Sequence, residues 1–463
     1  MKPLRKQGII IFSILALVLA ACGGDTTEET TVEETTPEVV ETLDSPAVTT
    51  ASGVETGVGV TSDPCPEAIG GIPTGADQSK GCIYLGMLND YTGPYAAAGP
   101  ALETAQRGFW LWANSAGGVG DYSVAIVEGT DTGYNPQRHL EAYNAQKENV
   151  AALAMSLGTV QTLFILDEMD KDNMVAAPMS WYSGWSYKSV DKGLVVEFGS
   201  AYCADGMNAV DWALANLPVD IKTIGIMGGA GDYGSDWAAG VKYAAERNGL
   251  TVAWEYTPPS TEFDVAQAVG LMITQPVDAY FPAVVPSQMA QVAGGAAQQG
   301  VTPIAMLAAP AFNDAFVQEG FALKGLFESG AIYTMAWVAP YEYQSNAHAT
   351  MRATFASMGI DSASSFLVAG WSSQYHLKGV LEAAIKGGDL TRAGIRRAAA
   401  NVYVESDGMM LTRELGQDRA DKESFINIPD GNIASGVRML ASNYVGPSAE
   451  SYDFTQGPCF ASG

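Results

Sequence analysis

Residues 81–120 read GCIYLGMLNDYTGPYAAAGPALETAQRGFWLWANSAGGVG, and a change of period inside them decides the fold. Ile83–Leu88 is a short apolar run with a β-rich start. Asn89–Gly99 is a loop carrying Thr92-Gly93-Pro94. From Pro100 onward Leu102, Ala105, Phe109 and Trp112 recur three or four residues apart, which is one face of a helix. Pro100 suits a first helical position, because its missing N–H would have no partner there. Gly117-Gly118 ends the helix. This is the first βα unit of an α/β domain. Its loop lies at the carboxyl end of the strand, where such sheets bind ligands.

The alternation continues. Strands are predicted at Ser123–Glu128, Val150–Ser156 and Met174–Pro178, with helices opening at Asn135-Pro136 and Gly158-Thr159 between them. The plan restarts at Thr223–Met227, Thr251–Tyr256, Val277–Phe281 and Ile304–Leu307, with helices over 235–248, 262–274 and 286–299. Residues 330–337 are extended and apolar. Helical stretches follow at 341–358, 365–386 and near 391–401, and strand-like pieces lie between Tyr403 and Leu440. Strands alternating with helices of this length predict parallel sheets with right-handed crossovers.

The pattern LNDYTGPYAAAG followed by NSAGGVG resembles the opening of the periplasmic binding proteins of the leucine/isoleucine/valine-binding family, the type I solute-binding components of ABC importers. The resemblance covers about 81–440. It implies two doubly wound parallel-sheet lobes joined by a three-strand hinge, with a ligand cleft between them. Lobe one takes 81–198 and 333–400, and lobe two 203–330 and 403–445. The tail at 446–463 fits no family pattern.

A chain of 463 residues with 47% hydrophobic content is long enough to bury substantial cores. Its 51 acidic against 24 basic residues, net −27, argue against nucleic acid as a partner, since phosphate binding needs clustered Lys and Arg. The amino terminus reads as an export signal. Lys2, Arg5 and Lys6 precede the apolar run Gly8–Ala21, which is short of the about 20 residues that span a bilayer. Leu19-Ala20-Ala21-Cys22-Gly23 resembles a bacterial lipobox. That implies a lipoprotein signal peptide at 1–21, lipid on Cys22, and an extracytoplasmic protein held at the cell membrane. A plain secretory signal with Cys after Ala is the alternative. The Thr/Glu-rich segment 22–63 reads as a disordered tether. Five cysteines leave Cys65, Cys82, Cys203 and Cys459 after cleavage, an even number suited to two disulfides in an oxidising compartment. Three pairings exist, of which Cys65–Cys82 and Cys203–Cys459 are favoured. No C-x-x-C spacing points to a metal or redox centre.

The resemblance also names site positions. Thr159, with Thr162 one turn on, matches the loop that holds a ligand carboxylate with a hydroxyl and backbone N–H groups. A Thr there also serves as a helix cap. Ser180 and Tyr182 match the segment that meets an α-amino group. Tyr233 matches a lobe-two tyrosine that closes over the ligand. The position that usually supplies a carboxylate to the ammonium is Gln288, so Asp90 or Asp314 would have to supply the charge, or the ligand has no ammonium. Tyr91, Tyr95, Trp181, Trp185, Tyr187, Tyr233 and Phe281 suit a ligand with a flat or apolar body. The expected ligand is a branched-chain amino acid, or a related amide or carboxylate, captured by hinge closure and passed to an ABC permease. A monomer without cofactor or metal is expected.

Two other readings compete. Gly229-Ala230-Gly231-Asp232-Tyr233-Gly234 fits the G-x-G-x-x-G of a nucleotide-binding Rossmann-type enzyme, with Glu255 about 20 residues on. Export and a lobe-two position weigh against it. A sensing receptor head would need a membrane helix and an output domain. No hydrolase motif is present, and His139, His348 and His376 read as surface or capping residues.

Overall fold

The computed structural model describes residues 48–49 and 53–461, apart from 232, 260–261, 412 and 417–419. The signal peptide, Cys22 and most of the tether lie outside the described residues.

The first lobe is built on β1 (Val60–Thr61), β2 (Gly81–Asn89), β3 (Tyr122–Ile126), β4 (Thr130–Asp131), β5 (Ala152–Leu157) and β6 (Ala176–Met179). β2 lies in the middle. β3 and β4 pair with one edge of it, and β5 followed by β6 lies on the other, all parallel. Only β1 runs antiparallel, with Val60 opposite Ile83. Seven of the nine residues of β2 are buried, as expected of a strand covered on both faces. The crossovers are α1 (Gly99–Ser115), α2 (Pro136–Gln146) and α3 (Thr159–Asp172). Pro100 lies in the first turn of α1, and the Asn135 side chain caps α2 by accepting from the Arg138 N–H.

The second lobe opens with α4 (Tyr202–Asn216). Its sheet then holds β7 (Thr223–Gly228), β8 (Thr251–Tyr256), β9 (Ala279–Ala283), β10 (Ile304–Leu307) and β11 (Ile332–Ala336), with α5 (Tyr233–Arg247), α6 (Val265–Thr274) and α7 (Pro286–Gln298) as crossovers. The order is β8-β7-β9-β10-β11, parallel throughout. This repeats the first sheet, in which the second strand of the series also lies outside the first. The strand β11, which begins where lobe one was expected to resume, therefore belongs to the lobe-two sheet, because Thr334 pairs with both Leu307 and Asn427.

After β11 the chain returns to lobe one as α8 (Asn346–Ser357), α9 (Ser365–Lys386) and α10 (Arg392–Ala399). Helix α9 packs on α1 through Phe109, which meets Trp371 at 5.3 Å and Tyr375 at 4.9 Å, both edge-on. Gln374 joins helix to sheet by accepting from Trp110 Nε1 and donating to the Ala154 carbonyl. The last strands, β12 (Ser424–Pro429) and β13 (Val437–Tyr444), extend the lobe-two sheet antiparallel.

Both expected disulfides are formed, Cys65–Cys82 and Cys203–Cys459. The expected tether ends too late. Residues 53–63 hold β1 and the strand Glu55–Thr56, which pairs with Asp389–Leu390, since buried Val54, Thr56 and Val60 give this piece apolar contacts that the Thr/Glu run before it lacks. Among the described residues no helix is long and apolar enough to cross a membrane.

Candidate functional site

β5 and β6 end side by side, and their loops start the site. Gly158 follows β5 with φ +103°, a conformation that side chains rarely adopt. A Cβ there would fall 2.2 Å from Gln161 Oε1 and 2.7 Å from Tyr134 Cε2. The turn lets α3 begin at Thr159 with its free N–H groups at the sheet's carboxyl edge. Thr159 Oγ1 and Ser180 Oγ lie 2.7 Å apart, and Ser180 Oγ also accepts from Trp185 Nε1 at 2.9 Å. Both hydroxyls are buried.

The strand ends that carry this pair border a small, partly open chamber, which neither hydroxyl lines. Its walls are Leu157, Met179 and Trp181 from the strand ends, Tyr95 and Leu102 from around α1, and Tyr134. Phe366 and Ala369 of α9 also line it, with Tyr202 and Pro310 of lobe two and Trp337 of the returning segment, so segments on both sides of the lobe junction contribute. Trp181 and Trp337 stack face to face at 3.3 Å, 5° from parallel. A second, similarly open chamber adjoins the first and shares Trp337, Phe366 and Ala369 with it. Among the described residues, no Asp, Glu, Lys or Arg lines either one.

The junction is tied beside the chambers by Asp236 of α5. It accepts from Ser183 Oγ at 2.6 Å and from the Ser183 and Cys203 N–H groups at 3.0 and 3.2 Å. Ser183 follows β6, so this carboxylate links the lobes. Burial pushes it up to about 6, against those hydrogen bonds. Sequence reasoning passed over Asp236, although an acid in a helix's first turn is a signal that could have flagged it.

The other expected positions divide. Tyr233 stands behind the chamber wall, its ring 5.2 Å from that of Tyr202. Thr162 turns into the lobe, where its hydroxyl bonds Ser156 and the Gly158 carbonyl, the ordinary back-bond of a helical Thr. Tyr182 is carried away from the cleft: its hydroxyl donates to the Phe460 carbonyl and its ring packs edge-on against Trp185. Tyr91 donates to Glu103 of α1. Gln288 accepts from the Val285 N–H and so caps its own helix. Asp90 is saturated by the N–H groups of Thr92, Gly93 and Tyr95. Asp314 lies against Gly436 and lines neither chamber.

The three histidines are buried, not superficial. His139 Nε2 pairs with Ser156 Oγ, His348 Nδ1 with Ser345 Oγ, and His376 Nδ1 with the Glu197 carbonyl. Burial lowers His139 to about 3 and His348 to about 4, so both stay neutral near pH 7. Of the glycine-rich stretch, Tyr233-Gly234 open α5, and Glu255 is held by Lys242 at 3.0 Å.

The sequence matches the profile of a family described as periplasmic binding protein over residues 82–424. The chain belongs to the periplasmic binding protein family. Like its relatives, this periplasmic binding protein is a solute-binding protein and not an enzyme. Among solved structures it is similar to a fatty acid ABC transporter substrate-binding protein from Thermomonospora curvata. That match has 25% identity, covers 87% of this chain and 97% of that one, and has a TM-score of 0.76. A branched-chain amino acid ABC transporter protein from Thermus thermophilus with bound valine shares the fold, at 12% identity, 80% and 98% coverage and TM-score 0.67. So does a solute-binding protein from R. palustris in complex with 4-hydroxybenzoate, at 14% identity, 79% and 98% coverage and TM-score 0.66. No curated protein matches the chain in sequence.

Proposed function

We propose that this periplasmic binding protein is a lipid-anchored extracytoplasmic receptor that closes on a small carboxylate with an apolar body and no free ammonium, and delivers it to an ABC permease. The observation that carries the proposal is the chamber beside Thr159 and Ser180, aliphatic and aromatic on both lobes and free of charged side chains among the described residues. A zwitterion's ammonium buried there without a partner would cost several kcal/mol. The acids that could have balanced it are engaged elsewhere, Asp90 by its own loop and Asp236 by Ser183 and Cys203. The paired hydroxyls and the N–H groups opening α3 supply donors for a carboxylate. The description of the Thermomonospora curvata protein as a fatty acid ABC transporter substrate-binding protein supports the same class.

Closure proceeds by rotation of the lobes about the segments that join them, with the chamber losing its water. Calorimetric titration of the full chain with octanoate, 4-hydroxybenzoate, leucine and valine tests the reading. Octanoate or 4-hydroxybenzoate binds and the amino acids do not. A tenfold preference for leucine or valine over both acids would overturn it. Thr159→Ala and Tyr233→Ala each weaken binding severalfold without unfolding the head, and unchanged affinity in both removes them from the site.

A further inference from the structure

The second chamber has no place in the reading above and lies where a short ligand would not reach. It is walled by Ala309 and Phe312 after β10, by Met335 and Val338, by Val437 of β13, and by the amino-terminal turns of α9. The first chamber meets it along Trp337, Phe366 and Ala369, so a single elongated molecule passing these three side chains would occupy both. Three polar atoms of the chamber walls have no hydrogen-bond partner among the described residues; Trp337 Nε1, where the chambers meet, is turned toward Asp205, which leaves one in each chamber. Trp181 lines the first chamber, and its Nε1–H has no acceptor. Asn427 of β12 lines the second and is 3% exposed, and its Oδ1 has no donor. Buried polar groups are almost always satisfied, so an orphan donor and an orphan acceptor in adjoining apolar chambers call for a ligand that satisfies both.

We infer that the solute is an elongated amphiphile whose carbonyl or carboxylate oxygen meets Trp181 in the first chamber, whose apolar chain passes Trp337, and whose far end places a hydroxyl or amide N–H on Asn427. This rests on the carboxylate reading above and narrows it to long chains with a polar far end. Trp337 belongs to the segment that carries the chain back from lobe two to lobe one, so a molecule lying along it contacts a joint of the two lobes. A ligand confined to the first chamber touches only one end of this path.

The test is calorimetric titration of the full chain with hexanoate, dodecanoate and 12-hydroxydodecanoate. Burial of each added methylene predicts a gain of up to about fourfold, so dodecanoate binds at least tenfold more tightly than hexanoate. The terminal hydroxyl adds severalfold more. Asn427→Leu removes the hydroxyl's advantage and leaves hexanoate unchanged. Ala309→Leu, in a wall of the second chamber only, weakens both twelve-carbon acids while leaving hexanoate unchanged, which also shows that the variant is folded. If hexanoate and dodecanoate bind alike, or the terminal hydroxyl gives no gain in the unaltered chain, the two-chamber inference is overturned and the carboxylate receptor stands. If none of the three binds, both fall.

Discussion

Asp205 is the clearest case of a side chain whose chemistry is set by its surroundings. It lies fully buried on α4, accepts from the hydroxyls of Ser200 and Ser424, and faces the Trp337 indole, with Asp236 the nearest like charge. Burial outweighs those hydrogen bonds and pushes the carboxyl up to about 8. In the unfolded chain an Asp titrates near about 4. Below that pH both states hold the proton. Above it the unfolded chain releases the proton while the fold keeps it, so stability falls as pH rises and levels off above about 8. Asp236, raised to about 6, adds the same slope over the lower part of this range only. Buried, neutral His139 and His348 give the opposite slope up to about pH 7, because they charge only in the unfolded chain, so thermal unfolding between pH 7 and pH 8 isolates Asp205. The melting temperature of the unaltered protein drops across that interval, and that of Asp205→Asn stays nearly level. Equal slopes for the two proteins would show that Asp205 is ionised in the fold.

Among elements, the carboxyl-terminal tail has the most unexpected role. Gly446 donates to Asn208, Ser448 donates to Asp211 through its N–H and hydroxyl, and Tyr452 packs edge-on against Tyr243, all on α4 and α5 of lobe two. A few residues later the Phe454 and Phe460 carbonyls accept from Tyr187 and Tyr182, and the Cys459 N–H donates to Ser183, all in the segment after β6. Cys459 is bonded to Cys203 at the start of α4. The tail thus straps the segment leaving lobe one to the first helices of lobe two. Cross-linking residues 256 apart restricts the unfolded chain strongly. Replacing Cys203 and Cys459 together by Ser lowers stability by about 2–4 kcal/mol in urea unfolding. No change would mean that the hydrogen bonds alone hold the tail. The alternating elements from β2 to α7 were legible because each has one dominant period. α4 was not, since twelve of its fifteen residues are buried, Asp205, Asn208 and Asp211 among them. A helix covered on both sides by a sheet and a strap has no polar stripe to read. The tail was illegible except at Cys459, because its anchors are backbone carbonyls and isolated contacts.

For the whole molecule, two sheets of the same strand order face each other across chambers that the loops only partly foretold. Strand ends fix where a loop lies, and the positions of the loops carrying Gly158-Thr159 and Ser180 were legible for that reason. A shift of one residue decides which side chain faces the cavity, and here Leu157, Met179 and Trp181 line it while the neighbouring Thr159 and Ser180 do not. Trp337 and Phe366, which line both chambers, were not foreseen because they come from the returning segment, which carries no loop signature. The same arrangement predicts how the lobes move. Ser183, Cys203 and Cys459 donate backbone N–H groups within one linked network around Asp236, at the edge where the tail joins the lobes. Opening that broke this network would leave a buried carboxylate and its donors unpaired, so rotation takes place about this edge and the chamber side separates. In hydrogen exchange, amides of 157–159 and 366–369 therefore gain protection when ligand is added, while those of Ser183 and Cys203 exchange slowly in both states. Protection at Ser183 and Cys203 that rises on ligand addition as much as at Phe366 would place the axis elsewhere and show that the Asp236 network opens with the cleft.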